Sequence, residues 1–389
     1  MSTVTQGFST KAIHAGEEPD FREGASGDVV VPIHLSTTFA RKKISEPTGG
    51  YDYTRSQNPT RKALETKLAA LENAKYGLAF SSGLAAETTV LLSLLKPGDH
   101  IVAFDDLYGG TKRLINSVFA KYGINASYVD ATVAANVEKA ITPHTKAVWL
   151  ESPTNPLLKV SDIKAISAIA HRNNLTLIVD NTFLSPYFQK PLDLGADIVV
   201  HSSTKYIAGH SDVLGGAVLL NDDALYQQAQ FHQNAAGAVL SPFDAYMTLR
   251  GVKTLSLRME QHQKNALKIA LFLEKHPKIS KVFYPGLECH PQHAISMRQT
   301  SGHGGVLSFE IKAAAKNATT FLEKLKLFAI AESLGGVESL IQLPSVMTHA
   351  SLTKEAREEV GITDCLIRLS AGIEDIEDLI GDLEQGLKF

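Results

Sequence analysis

The fold turns on "DIVVHSSTKYIAGHSDVLGG", residues 197–216. An apolar run from Ala196 to Val200 reads as a buried strand. It then opens into three hydroxyls (Ser202, Ser203, Thr204), Lys205, two histidines (His201, His210) and a cluster of glycines. A lysine charge is costly to bury. Its position one turn past a core strand, among side chains able to hold phosphate, raises the question of what it is there to meet.

Similar short apolar runs precede and follow it: "GLAFSS" (77–82), "HIVAF" (100–104), "ASYVD" (126–130), "AVWLES" (147–152), "LTLIVDN" (175–181) and "GGAVLL" (215–220). Between most of them lie helix-length segments such as "LAAETTVLLSLL" and "VSDIKAISAIAHRN". Strands alternating with helices predict βαβ units, an α/β fold with a mainly parallel sheet and flanking helices. In such a sheet the ligand crevice lies beyond the carboxyl ends of the strands. Ser82, Asp180 and Lys205 all fall there.

Residues 1–57 are turn-rich with little periodicity and read as an arm that packs on something else. After Pro59, "TRKALETKLAALENA" has helical spacing with Leu64, Leu68 and Leu71 on one face. The expected division is an arm (1–57), a large α/β domain (58–250) and a smaller C-terminal α+β domain (251–389). In the last, "TLSLRMEQHQKNALKIALFLEKH" and "IEDIEDLIGDLEQGLKF" read as helices, and "GGVLSFEIK" and "CLIRLS" as strands.

Composition narrows the class. The 389 residues are 44% hydrophobic and 20% charged with net charge −3, which leaves no basic footprint for nucleic acid or membrane. Two cysteines, Cys289 and Cys365, make no disulfide framework. The start "MSTVTQGFST" lacks a secretory pattern, and no apolar run approaches the ~20 residues of a membrane span. A cytoplasmic protein is expected.

Three strand ends carry the chemistry. "FSSGLAAE" is a strand, a tight turn at Gly83 and a helix whose first N–H groups suit an anion. It is neither a Walker loop nor G-x-G-x-x-G, which weakens a Rossmann dehydrogenase reading. Asp180 follows three apolar residues (Leu177, Ile178 and Val179), where a carboxylate drifts toward neutrality unless a cation compensates. Lys205 would need a depressed pKa to form an imine or act as a base. Singly, these read as a strand–helix turn, an N-cap and a loop lysine. Jointly they fit one ligand with an anion, a cationic ring nitrogen and an aldehyde: pyridoxal 5′-phosphate (PLP).

"YDYTRSQNPTR", "FSSGLAAE", "LYGGTKR", "ESPTNP", "VDNTFLSP", "HSSTKYIAGHSDVLGG", "ESLGGVESL", "MTHAS" and "IRLSAGIED" occur in order along the chain. With them the chain resembles, over essentially its whole length, the PLP-dependent enzymes of cysteine and methionine metabolism. The resemblance implies the fold type I (aspartate aminotransferase-like) architecture and a homotetramer of tight dimers with shared sites. By position it implies that Lys205 forms the Schiff base and Asp180 pairs with the pyridine nitrogen. Tyr108 would stack on the ring, with Thr182 beside it. Gly83, Leu84, Ser202 and Thr204 would cradle the phosphate, joined by Tyr53 and Arg55 of a neighbouring subunit. Asn155 and Arg368 would hold the substrate α-carboxylate, with a backbone contribution at Ser333.

The likeness within that family is to γ-eliminating and γ-replacing members. Asp52, Arg113 and Glu332 match positions that face the far end of a substrate carrying a second amino-acid group. Gly110 stands where methionine γ-lyases usually carry cysteine, and Leu334 where β-lyases tend to carry tryptophan. Asp52 replaces the glutamate common among γ-lyases, so elimination and replacement both stay open, as does a catalytically silent scaffold. "CHPQH" (289–293) imitates a metal cluster, but Pro291 breaks any helix and no fourth ligand is in sight, so no metal is expected.

Overall fold

A computed structural model describes residues 6–23, 25–312, 315–348, 350 and 353–388. The seven apolar runs form strands β1 (Tyr76–Phe80), β2 (His100–Phe104), β3 (Asn125–Val129), β4 (Thr145–Glu151), β5 (Thr176–Asp180), β6 (Ile198–His201) and β7 (Gly216–Leu220). They build one sheet in the order β1-β7-β6-β5-β4-β2-β3. From β6 to β3 every pairing is parallel, and β7 is antiparallel to both its neighbours. β1 therefore points the same way as the parallel strands, and the carboxyl ends of β1, β2, β4, β5 and β6 meet on one side. Helices cover both faces, so the central strands are buried without alternation, as in Leu177, Ile178 and Val179.

The helix Pro59–Glu72 starts where the sequence predicts. Asn58 caps it by accepting from Thr60 and Arg61, and Pro59 occupies the first turn, where its missing N–H costs nothing. Leu64, Leu68 and Leu71 are at most 2% exposed.

Beyond residue 250 a second sheet forms from β8 (Ile279–Phe283), β9 (Val306–Ile311), β10 (Ala329–Ile330), β11 (Leu340–Gln342) and β12 (Leu366–Ser370). Its order is β10-β11-β12-β9-β8. β9 and β12, the two apolar runs seen in the sequence, are central. β8, β10 and β11 escape sequence reading because they are very short or, like "ISKVF", half exposed at an edge. The helix Leu255–Lys275 bridges the two layers: Leu255 and Met259 join the first hydrophobic core, Ala266, Ile269 and Leu273 the second.

The arm is not wholly irregular. Phe8–His14 is a helix packed on Pro59–Glu72 and Leu255–Lys275. Buried Lys67 anchors it, its Nζ donating to Ala12 O (2.7 Å) and Ile13 O (2.9 Å) and pairing with Glu17 (2.6 Å). These are tertiary ties without a local period. Residues 25–57 are mostly exposed, with Val29, Leu35 and Ile44 facing outward. Among the described residues no helix is long and apolar enough to cross a membrane.

Candidate active site

At the converging strand ends lies a cavity of about 270 Å³. It brings together Gly83, Leu84, Tyr108, Asn155, Asp180 and Thr182 with Ser202, Thr204, Lys205, Glu332, Ser333 and Arg368. Asp52, Tyr53, Arg55 and Arg113 do not line it. Tyr53 and Arg55 are exposed on the arm, the Arg55 guanidinium 5.6 Å from the Tyr53 ring centroid, and Asp52 pairs with Arg41 at 3.4 Å. Arg113 is exposed but close enough to act electrostatically on Tyr108.

One end of the cavity suits an anion. The helix Gly83–Leu94 starts there, Ser82 capping it by accepting from Ala85 N at 3.0 Å. The N–H groups of Gly83 and Leu84 have no intrahelical acceptor. A Cβ on residue 83 would stand 3.0 Å from Ser202 Cβ, so glycine lets the turn close against Ser202. Thr204 also lines the cavity, with its hydroxyl donating to Gly215 O (3.1 Å) and accepting from Gly215 N (3.0 Å).

Asp180 ends β5 and is only 9% exposed. Its Oδ1 accepts from Thr182 N (2.9 Å) and Thr182 Oγ1 (2.5 Å); Oδ2 has no hydrogen bond among the described residues and is left for a ligand. Thr182 Oγ1 in turn accepts from Ser202 N at 2.9 Å, tying the end of β5 to the lysine loop. Burial pushes the Asp180 carboxyl up, against the Thr182 bonds and the charge of His201. An unaccompanied carboxylate is thus poised for a cation.

Lys205 Nζ donates to Ser333 Oγ at 2.6 Å. Burial, reinforced by the Arg368 guanidinium, pushes the lysine down to about 8. That is the depressed ammonium an imine-forming or proton-moving lysine requires. Ser333 takes φ 96°, a left-handed backbone costly for a side-chain-bearing residue. In that conformation its side chain meets Lys205 while its carbonyl accepts from Arg368 Nη2.

Arg368, on β12, is 3% exposed. Its Nη1 donates to Asn155 Oδ1 at 3.0 Å, and a Gln342 amide turned with its oxygen toward the guanidinium accepts from Nε at 3.2 Å. A guanidinium braced in this way presents a planar fork suited to a carboxylate. Tyr108 is held by its backbone N–H, which donates to Glu151 Oε2 at 2.8 Å. A Cβ at Gly110 would lie 2.3 Å from the Tyr108 ring, so glycine there lets the ring settle over the loop. Burial raises the Tyr108 hydroxyl; of the charges in its own chain Arg113 opposes this and Glu87 adds to it.

Two acids absent from the sequence reading also line the cavity, Glu87 and Glu151. Burial and the nearby Asp180 raise both well above the usual carboxylate range. Glu151 carries the signal that singled out Asp180, an acid ending a buried run, and the two are register partners on β4 and β5. Glu87 sits mid-helix with no such cue. In the "CHPQH" stretch, His293 Nδ1 contacts Pro285 O (2.8 Å) and Cys289 donates to Glu274 (3.1 Å), while burial pushes His290 down to about 4. No group of three or more potential metal ligands occurs among the described residues.

The donor set fits PLP. The turn at Gly83 offers free N–H groups suited to a phosphate, Asp180 Oδ2 is open to a ring nitrogen, and a lysine of lowered pKa lines the same cavity. A mixed sheet with helices on both faces and this cavity at its strand ends defines a PLP-dependent enzyme of fold type I. More narrowly, the chain belongs to the Cys/Met metabolism PLP-dependent enzyme family, which matches residues 9–388. Relatives include a cystathionine γ-lyase from Dictyostelium discoideum, 56% identical over 98% of this chain and 97% of that protein. A cystathionine γ-synthase from Mycobacterium bovis is 51% identical over 98% and 97%. Crystal structures with the same architecture include MetB from Corynebacterium glutamicum (TM-score 0.95, 49% identity, 98% of each chain). Another is cystathionine γ-lyase from Lactobacillus plantarum complexed with L-serine (TM-score 0.94, 46% identity); both its chain and this one are covered to 98%.

Proposed function

We propose that the protein is a cystathionine γ-lyase, converting L-cystathionine and water to L-cysteine, 2-oxobutanoate and ammonia by α,γ-elimination. The observation that carries the reading is the convergence in one cavity of the depressed Lys205, the open Oδ2 of Asp180 and the braced Arg368. Bound PLP supplies an electron sink for the carbanion formed at the substrate α-carbon. Arg368 and Asn155 hold the substrate α-carboxylate and fix its orientation. Lys205 Nζ, in its neutral form, would take the α-proton and, only after handing that proton on, the β-proton; Ser333 Oγ is its resting partner. The Tyr108 hydroxyl protonates the departing sulfur, and Asp180 keeps the ring nitrogen charged.

Glu332, at the cavity rim, with Arg113 and a neighbouring subunit's Asp52, would meet the far amino-acid group of the substrate. The exposed arm carrying Tyr53 and Arg55 supports a homotetramer in which those two residues complete a neighbour's phosphate site. The cytoplasm is the expected compartment.

A second reading, γ-replacement of an O-acylhomoserine by cysteine, is favoured by the γ-synthase name on one relative and by Asp52. Product analysis decides between them. Purified enzyme with PLP is offered cystathionine alone, then O-succinyl- or O-acetylhomoserine with cysteine. Release of 2-oxobutanoate and cysteine from cystathionine supports the lyase; rapid cystathionine formation with negligible cleavage sinks it.

A further inference from the structure

Asp106 is 2% exposed, lies two residues before Tyr108 and does not line the cavity. Its Oδ2 accepts from Thr154 Oγ1 at 2.5 Å and from Leu157 N at 3.3 Å. Thr154 directly precedes Asn155 and is locked into its own loop. Its backbone N–H donates to Lys159 O and its hydroxyl accepts from Lys159 N, both at 2.9 Å. Asn155 then reaches Arg368 at 3.0 Å. A continuous path of short contacts thus runs from the backbone carrying Tyr108, through one buried carboxylate, to the pair that meets the substrate carboxylate.

We propose that Asp106 is a positioning residue for substrate binding: its carboxylate clamps the Tyr108 loop to the Asn155 loop and so holds the Asn155–Arg368 pair in register with Tyr108. The inference rests on the reading of Arg368 and Asn155 as the carboxylate site. A carboxylate suits the task because Oδ2 must accept from an O–H and an N–H at once, and an ionised acceptor makes the stronger bonds.

The clamp is sensitive to acid. Burial pushes Asp106 up to about 6, against the Thr154 bond and the charges of Lys159 and Lys112, with Asp105 adding to the rise. Glu151, at the end of β4, is the other buried acid coupled to it. Below about pH 6 Asp106 takes up a proton, Oδ2 becomes a poorer acceptor, and the two loops loosen. Substrate affinity therefore falls on the acid side while Arg368 itself keeps its charge.

The test uses PLP-loaded enzyme carrying Asp106→Asn, Thr154→Val or the conservative Thr154→Ser. Glycine, an α-amino acid without a γ leaving group, is titrated by the cofactor's absorbance from pH 5 to 8, and KM and kcat are measured with cystathionine. Loss of one hydrogen bond to a charged acceptor predicts a rise of about tenfold in glycine Kd and in KM for D106N and T154V. Changes in kcat should stay within about threefold, Thr154→Ser should restore affinity, and the step near pH 6 in glycine affinity should vanish in D106N. Wild-type affinities in both variants, or a step near pH 6 that survives in D106N, overturn the proposal. If D106N fails to fold, T154V against T154S decides. Because glycine binding is read whether or not cystathionine is turned over, failure of the clamp and failure of the proposed reaction give different results.

Discussion

Replacing Lys205 with methionine separates what the lysine costs the fold from what it does in the reaction. Burial, with Arg368 second, lowers its pKa from 10.5 to about 8. The folded chain therefore holds this proton less tightly than the unfolded chain does. The ammonium destabilises the fold at neutral pH, and stability rises as pH climbs between about 8 and 10.5. The difference is worth about 3 kcal/mol at pH 7 and about 1.4 kcal/mol at pH 9.5. Methionine, of similar length, removes that penalty but leaves the Ser333 hydroxyl without its 2.6 Å partner, a loss of about 1 kcal/mol. PLP-free Lys205→Met should thus be more stable than wild type by about 2 kcal/mol at pH 7, and nearly equal to it at pH 9.5. Urea unfolding at both pH values, at one fixed protein concentration, measures this. A variant no more stable than wild type at pH 7, or a gain that does not shrink at pH 9.5, refutes the argument. The same variant should show no turnover.

Three further outcomes test other parts of the site. Gly83→Ala puts a Cβ 3.0 Å from Ser202 Cβ and 3.2 Å from its Cα, forcing the anion turn open. PLP affinity should drop by about tenfold by fluorescence titration of the apoprotein, an overpacking cost near 1.4 kcal/mol; an unchanged affinity counts against the cradle. Arg368→Lys keeps the charge but not the fork that reaches Asn155 and Ser333. At about 2–3 kcal/mol, kcat/KM should fall roughly 30- to 150-fold, and a loss under threefold would remove Arg368 as the carboxylate ligand. Arg258, 4% exposed, donates to Tyr206 O (2.6 Å), Gly251 O (2.8 Å) and Ile207 O (3.3 Å), pinning the turn that follows Lys205. Arg258→Met leaves buried carbonyls stranded and should cost about 3 kcal/mol by urea unfolding; a change under 1 kcal/mol would show the turn holds without it.

Where a residue's place in the cavity follows from its position at or just past the end of a buried strand, it was readable in advance. Asp180, at the end of a buried run, and Lys205, one turn past another, stand out because a charged side chain so placed is costly without a ligand or partner. Glu151 carries that same mark. Glu87 does not, since an acid inside a helix reads as an ordinary solvent-facing position until the helix is packed. Asp106 was hidden for a different reason: its partners, Thr154 and Leu157, are some 50 positions away and meet it only when β2 and β4 lie side by side.

Local order along the chain was enough to establish the alternation of apolar strands and helices, the side of the sheet on which the cavity lies, and a lysine and an acid that line it. Each of those depends on burial periodicity or on the cost of an isolated charge, and both are written in neighbouring residues. Only the folded chain decided which second layer supplies Arg368, that a strained Ser333 would meet Lys205, and that the arm's first helix docks on Lys67. Those contacts join residues 50 to more than 200 positions apart. Their geometry is set by how two sheets and the helix Leu255–Lys275 pack, which no local pattern encodes.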